Sequence, residues 1–217
     1  MTSAPSRNPL RRVLDAPPPA PAEERCELCA VPIGPDHGHV VDLHNRQLMC
    51  GCRPCTLLFT RSGAGGGRYR AVPDRVLKDP ALTLTDLDWE TLQIPVGMAF
   101  FFRNSSMGRV VAFYPSPAGA TESELSLSTW EDGLGRSRLA AELEDDVEAL
   151  LVRRSRTAPA EDRYDVFLAP IDACYELVGR VRAHWRGFDG GSEAWAAIDE
   201  VFDRLRAAAR DVVGGTR

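Results

Sequence analysis

The sequence of 217 residues predicts an α+β fold: a small zinc-ribbon or treble-clef-like four-cysteine module, followed by an α+β domain with a central antiparallel sheet and two C-terminal helices. Three observations lead to this prediction. Five of the six cysteines lie within thirty residues near the start of the chain, two apolar and aromatic runs flank a Ser-rich turn, and two segments with helical periodicity end the chain. We therefore expect a metal-held module beside a domain with an ordinary hydrophobic core.

Two CxxC motifs form the signature of the predicted module. Cys26 and Cys29 make the first pair, Cys52 and Cys55 make the second, and twenty-two residues separate the pairs. A CxxC turn places two thiolates and several backbone N–H groups around one ion, so two such turns complete a tetrahedral site. The segment HGHVVDLHNRQLMC between them predicts a β-hairpin, and TLLF after the second pair can begin a helix. In a module of this size, the metal supplies much of the folding free energy.

A fifth cysteine and three histidines could also reach an ion in this module. Cys50 stands two residues before Cys52, so in a strand both side chains would point to the same face. Cys50 could replace Cys52 as a ligand, support the ligands from outside, or pack as a small buried residue. His37 and His39 are possible alternate ligands in a site of three cysteines and one histidine. Four cysteines make the histidines unnecessary, however, and placement on the surface or in the hairpin is the simpler interpretation for them and for His44.

The identity of the ion is open between zinc and iron. Zinc is the usual occupant of a closed site of four cysteines, and such sites are structural. Iron, as a single ion or a cluster, fits the same tetrahedral sulfur geometry. Rubredoxin-like knuckles have glycine directly after the second cysteine of each pair, where this chain has Ala30 and Thr56, so zinc is favoured. A redox dithiol at CRPC is a third interpretation, but the βα unit that should precede it is missing and the CELC pair would have no role.

The rest of the chain predicts strands followed by helices. VGMAFFFRN and GRVVAFYP, separated by SSM, predict a β-hairpin, and DRYDVFLAPI predicts a further strand that ends at Pro170. We expect one helix with its N-cap at Asp172 and a second with its N-cap at Ser192, after the break RGFDGG. Apolar residues recur at helical spacing on one face of each helix: Cys174, Leu177, Val178, Val181 and Trp185 in the first, and Trp195, Ile198, Val201, Phe202 and Leu205 in the second.

Composition divides the chain into four parts. Residues 1–24 are predicted to be a disordered, proline-rich tail, residues 25–60 the four-cysteine module, residues 61–70 a glycine-rich linker and residues 71–212 the α+β domain. No apolar run approaches the roughly eighteen residues of a membrane helix, and no apolar stretch follows the N-terminal arginines as in a signal peptide. We therefore expect a cytoplasmic protein without a membrane span.

Charge argues against a nucleic-acid binder. The net charge of the chain is −5, and residues 25–70 contain six arginines against three acidic residues, so the module is only mildly basic. TLLFTR after the second cysteine pair makes a poor recognition helix. A zinc-finger protein that binds nucleic acid is therefore a minor alternative.

The sequence predicts no catalytic residues. GAGGG lacks the lysine and the strand-to-helix context of a phosphate-binding loop, and a linker is the simpler interpretation. Ser/His/Asp sets, HExxH motifs and nucleophile elbows are missing. The acidic run ELEDD together with Glu148 is interpreted as a solvated helix face. We therefore expect a protein that is not an enzyme.

Long phrases of the sequence resemble an uncharacterised bacterial family, a domain of unknown function. They are CELCAVPI, HGHVVDL, LMCGCRPCTLLF, GGGRYRAVPDR, IPVGMAFFFRNS, GRVVAFYPSPAGATESEL and IDACYELVGRVRAHWRGFDGG, and the resemblance covers roughly residues 25–210. It implies genes that lie beside the structural and maturation genes of nickel–iron hydrogenases. It therefore implies an accessory role, in assembly or maturation or as an iron-containing electron-transfer partner, with a hydrogenase subunit or maturation factor as protein partner. It supplies no catalytic residues.

Overall fold

The computed structural model describes residues 23–123, 127–155, 158–159 and 163–213. The predicted tail, residues 1–24, lies outside this part of the chain except for its last two residues. The described residues form a three-stranded sheet and a seven-stranded sheet, with helices around the larger one. This arrangement confirms the predicted α+β class, with a four-cysteine cluster that precedes the sheet domain. Within the described ranges, no helix is long and apolar enough to cross a membrane.

A hairpin and a third strand form the small sheet. Its strands are β1 (Gly38–Asp42), β2 (Gln47–Gly51) and β3 (Tyr69–Ala71). β1 lies in the middle and pairs antiparallel with both neighbours, so the hairpin predicted for this segment is confirmed. The buried carboxylate of Asp42 accepts hydrogen bonds from the His44 backbone N–H and from the Arg68 guanidinium. These bonds fix the turn after β1 and hold the segment that leads into β3 beside it.

The large sheet carries the main core. Its strands are β4 (Leu77–Lys78), β5 (Met98–Asn104), β6 (Arg109–Ser116), β7 (Gly119–Ser123), β8 (Glu148–Arg154), β9 (Tyr164–Pro170) and β10 (Arg210–Asp211). They lie in the order β10-β4-β9-β8-β5-β6-β7, with every pair antiparallel except β10 and β4. The predicted hairpin of two aromatic runs is β5 and β6, and the strand predicted to end at Pro170 is β9.

Helices cover both faces of the large sheet. The six helices of the described residues are α1 (Arg53–Leu57), α2 (Asp86–Thr91), α3 (Leu127–Asp132), α4 (Arg138–Glu142), α5 (Ile171–His184) and α6 (Gly191–Ala208). Side chains alternate across each strand, so Phe100 faces α5 and α6 while Phe101 faces the short helices α2 to α4. Both phenylalanines are fully buried. The sequences of the central strands are continuous apolar runs because helices cover both faces of the sheet.

The C-terminal helices begin earlier than the capping residues predict. α5 starts at Ile171 with Pro170 at its N-cap, which leaves Asp172 inside the first turn. α6 follows an N-cap at Gly190 rather than at Ser192. The reason at Gly190 is steric, because it has φ +90° and a Cβ there would lie 2.9 Å from the ring of Trp185. Only glycine fits this turn, so it sets the start of the helix.

The small sheet packs against the α5 side of the large sheet. Val41 of β1 belongs to the same buried cluster as α5 and α6, and Leu48 of β2 packs against that cluster. Arg70 of β3 donates hydrogen bonds to the carboxylate of Glu144 and the carbonyl oxygen of Asp145. The predicted linker, residues 61–70, contains a 3-10 turn and ends inside β3. The division of the chain into separate domains stays a prediction.

Candidate metal centre

The first CxxC motif forms a tight turn held by its own backbone. The Cys26 N–H donates to the Val31 carbonyl oxygen at 2.9 Å, and the Ala30 N–H donates back to the Cys26 carbonyl oxygen at 2.7 Å. The Glu27 N–H donates to the Cys50 carbonyl oxygen in β2 at 2.9 Å. The turn is therefore tied to the hairpin, and Cys26 is buried while Cys29 remains exposed.

The second CxxC motif opens helix α1. Cys52 is the N-cap residue in extended conformation, and a proline occupies the first turn, where its missing N–H has no intrahelical partner. The Thr56 hydroxyl donates to the Cys52 carbonyl oxygen at 2.8 Å. Thr56 also contacts β1, since a Cβ at Gly38 would lie 2.8 Å from its hydroxyl oxygen. The helix start is thus fixed against the hairpin, with Cys55 one turn inside.

The four predicted cysteines come together at one end of the small sheet. The sulfurs of Cys26, Cys29, Cys52 and Cys55 all lie within 4.8 Å of one another. Cys29 Sγ and Cys52 Sγ are 3.6 Å apart, and all these cysteines are free thiols. A tetrahedral zinc ion with bonds of about 2.3 Å separates its sulfur ligands by about 3.8 Å. The cluster therefore has the ligand type, number and spacing that a tetrahedral metal ion requires.

Local dipoles act differently on the individual thiols. Burial would raise the pKa of Cys26, but hydrogen bonds from the backbone N–H groups of Cys52, Leu28 and Cys29 outweigh it and lower the pKa to about 6. Hydrogen bonds with the sulfurs of Cys52 and Cys29 raise the pKa of Cys55 to about 12. Hydrogen bonds thus link the sulfurs of the cluster. A dication among them would stabilise the thiolate form of all four.

The predicted alternate ligands form a separate group. One ring nitrogen each of His37 and His39 and the sulfur of Cys50 lie within 4.8 Å of one another. Cys50 pairs with His39 across β1 and β2, whereas β2 ends at Gly51, before Cys52. Cys50 and Cys52 therefore do not lie in one strand, because Cys52 already belongs to the helix cap. His44 lies in the turn between β1 and β2.

One residue near this group has no signal in the local sequence. Asp172 of α5 lies 133 positions from His39, and its Oδ2 atom is 2.7 Å from His39 Nδ1. The sequence predicts Asp172 as a helix N-cap because the residue precedes a helical pattern. Its contact with a histidine of the small sheet depends on how the two sheets pack, and the spacing of residues in the sequence does not predict this packing.

A substitution of Ala30, the residue after Cys29, would test the geometry of the first turn. Ala30 has φ +62°, the left-handed conformation that glycine adopts without strain. A left-handed alanine costs roughly 1–2 kcal/mol, and glycine removes this cost but loses more entropy on folding. We therefore expect Ala30→Gly to stabilise the metal-bound protein by up to about 1 kcal/mol. Chemical unfolding of the metal-bound protein would measure the difference.

Ala81→Gly is the matched control, because Ala81 is exposed and is not among the residues with positive φ. This substitution should give no stabilisation. An Ala30→Gly variant that is less stable than the wild type would contradict the left-handed conformation assigned to the turn.

Comparison with known proteins identifies a family but no function. No curated protein and no solved structure matches the chain. Residues 25–209 match a family described as a family of unknown function, DUF5947, and this range includes the cysteine cluster, both sheets except the last strand, and both C-terminal helices. The chain therefore belongs to the DUF5947 family of unknown function.

Proposed function

We propose that the protein is a non-enzymatic accessory protein that binds one structural zinc ion through Cys26, Cys29, Cys52 and Cys55. The observation that carries the proposal is the close approach of these four sulfurs at one end of the small sheet. Four thiolates complete the coordination of zinc and leave no position for a substrate, which is the pattern of structural sites. The ion would join the turn of the first motif, the hairpin and α1.

The partner in this proposal is a subunit or maturation factor of a nickel–iron hydrogenase, in the cytoplasm. Its support is the resemblance of long sequence phrases to an uncharacterised family, which implies genes that lie beside those of a hydrogenase. A nucleic-acid partner has less support, since α1, which begins within the second motif, is five residues long and contains one basic residue, Arg53.

An iron centre that transfers electrons to a hydrogenase is the second candidate. One observation favours it: Cys29 is exposed, so one edge of a bound iron would reach the surface where a redox partner docks. Iron–sulfur bonds have nearly the same length as zinc–sulfur bonds, so the geometry accepts either ion.

Metal identity decides between the two candidates. We expect protein purified without oxygen to be colourless and to contain zinc. The double variant Cys29→Ser with Cys55→Ser should contain one zinc ion per chain fewer than the wild type. Elemental analysis and visible absorption measure both quantities. Iron with charge-transfer absorption would replace the zinc proposal by the electron-transfer one, and a metal content that the cysteine substitutions leave unchanged would overturn both.

The hydrogenase link needs a cellular test. In a host whose hydrogenase genes lie beside the gene for this protein, we expect deletion to lower hydrogen uptake and the wild-type gene to restore it. A gene that encodes Cys29→Ser with Cys55→Ser should not restore it, whereas one that encodes Cys174→Ala, outside the cluster, should. Unchanged hydrogen uptake after deletion would overturn the hydrogenase role and leave the metal site untouched.

A further inference from the structure

Two histidines and the spare cysteine meet on the face of the small sheet that packs against the large domain. Cys50 lies directly opposite His39 in the neighbouring strand, and His37, directly before β1, has its ring centroid 4.9 Å from that of His39. Residues two apart, and residues paired across strands, share one face of a sheet. Val41 continues this face into the buried cluster around α5. The three ligand atoms, within 4.8 Å of one another, therefore lie at the junction of the two sheets.

Hydrogen bonds select, for both neutral rings, the tautomer that binds metals. His37 Nδ1 lies 2.8 Å from the Gly34 carbonyl oxygen, which can only accept, so Nδ1 carries the proton. His39 Nδ1 lies 2.7 Å from the carboxylate of Asp172 and donates to it in the same way. In each neutral imidazole the Nε2 atom then has a free lone pair. A carboxylate or carbonyl behind Nδ1 is the usual arrangement around a metal-bound histidine.

The free nitrogen of His37 has no partner within the protein. His37 Nε2 is buried and, in the described part of the chain, accepts no hydrogen bond. The side chain is only 10% exposed. A buried acceptor without a partner costs about 1–3 kcal/mol, so native proteins rarely keep one without a reason. A cation bound at this lone pair supplies that reason.

We propose that His37, His39 and Cys50 form a second metal site for a zinc-class divalent ion, distinct from the four-cysteine cluster and not dependent on it. Imidazole nitrogen and thiolate sulfur are the ligands that zinc and similar borderline-soft ions prefer. Two acidic residues stand beside the site: a Glu24 carboxylate oxygen is 3.8 Å from His37 Nδ1, and Glu27 accepts a hydrogen bond from the Cys50 N–H. Their negative charge favours a cation there.

Three protein ligands leave one coordination position of a tetrahedral ion open. A water molecule, or a thiolate, imidazole or carboxylate group of a partner protein, could complete it, in contrast to the closed set of four cysteines. The ion would also hold the small sheet to α5, because the carboxylate that orients His39 belongs to Asp172 of that helix. Occupancy of this site is thus coupled to the packing of the two sheets.

Counting ions per chain tests the proposal. The full-length protein is dialysed to equilibrium against buffered Zn²⁺, and metal and protein are then quantified. We expect two ions per wild-type chain, one per chain for His37→Asn, and one per chain for Cys50→Ser. Asparagine retains a donor near the position of Nδ1 for the Gly34 carbonyl and lacks Nε2, so His37→Asn preserves the local fold while it removes the ligand. His44→Asn is the control and should keep two ions.

The failures of the two sites are distinguishable. Cys29→Ser with Cys55→Ser removes the four-cysteine ion alone, and we expect it to leave one ion that His37→Asn then removes. Two results would overturn the second site. The wild type could bind one ion that His37→Asn does not affect, or His37→Asn could retain two ions. Loss of an ion from the His37 variant but none from the double cysteine variant would overturn the four-cysteine site instead.

Asp172 provides an independent measurement of the same site. Removing the group that orients a metal-bound histidine typically lowers metal affinity about 10–100-fold. We therefore expect Asp172→Asn to weaken binding of the second Zn²⁺ ion by that factor in a competition titration while the first ion binds as before. Unchanged affinity for both ions would contradict the assignment of His39 as a ligand.

Discussion

Cys29→Ser combined with Cys55→Ser should destabilise the small sheet strongly, without unfolding it, and leave the stability of the large sheet unchanged. The buried apolar residues of the three small strands are Val40, Val41 and Ala71, and α1 contributes none. So little buried area stabilises a fold only weakly. Structural zinc contributes an apparent 10–16 kcal/mol or so to the folding of isolated fingers, which matches or exceeds the whole stability of a typical domain, about 5–15 kcal/mol. Loss of this ion therefore removes a large stabilising interaction of the module, while the packing of Val41 and Leu48 against the cluster around α5 keeps the strands in place.

Amide hydrogen exchange measures this effect strand by strand. In the double variant, and in the wild type after chelation, we expect amides of β1 and β2 to exchange at least about 100-fold faster, which corresponds to about 2.8 kcal/mol. Amides of β8 and β9 in the large sheet should keep their protection. Cys174→Ala, which removes a buried cysteine of α5 outside the cluster, is the control and should leave the β1 and β2 amides protected. Equal protection of β1 with and without the ion would contradict a metal-dependent module.

Local patterns account for the parts of the fold that the sequence predicts correctly. A CxxC spacing determines a turn within four residues, the alternation around HNR determines the β1–β2 hairpin, and the recurrence of Cys174, Leu177, Val178 and Val181 determines the buried face of α5. Each of these signals is contained in a short window of sequence. The packing of neighbouring residues is enough to specify the element.

The remaining features depend on contacts between distant segments. β3 reads as the end of a glycine-rich linker, yet it pairs with β1 because Arg68 reaches the buried Asp42 carboxylate. Asp172 meets His39 because α5 packs against the small sheet. Glu148 reads as part of a solvated acidic face, although it is fully buried. Composition favours the surface for charged residues, and only the tertiary structure supplies the partners that allow Asp42 and Glu148 to be buried.

The burial of Glu148 leads to the second large expected effect. This residue begins β8 and is 0% exposed, with one carboxylate oxygen 2.6 Å from Arg75 Nε and the other 2.9 Å from Arg75 Nη2. The Glu144 N–H donates to the same carboxylate at 3.0 Å. Arg75 lies between β3 and β4, so this ion pair joins the segment after the small sheet to the centre of the large one. It is the bidentate geometry in which arginine binds carboxylates most strongly.

Arg75→Met should lower the free energy of unfolding by about 3 kcal/mol. Breaking a buried ion pair costs roughly 3–5 kcal/mol because it leaves one charge buried without compensation, and the lower end applies since the Arg75 side chain is 34% exposed and water can reach the vacated position. Adding Glu148→Met should recover part of the loss, because the double variant buries no charge there. It leaves the Glu144 N–H without its acceptor and the Glu142 carbonyl oxygen without the Arg75 donor. Arg136→Met is the control: its pair with Asp132 is exposed on both sides and should contribute no more than about 0.5 kcal/mol. Denaturant unfolding of the wild type and the three variants measures these differences. A double variant less stable than Arg75→Met alone would show that Glu148 is stabilised by something other than the arginine.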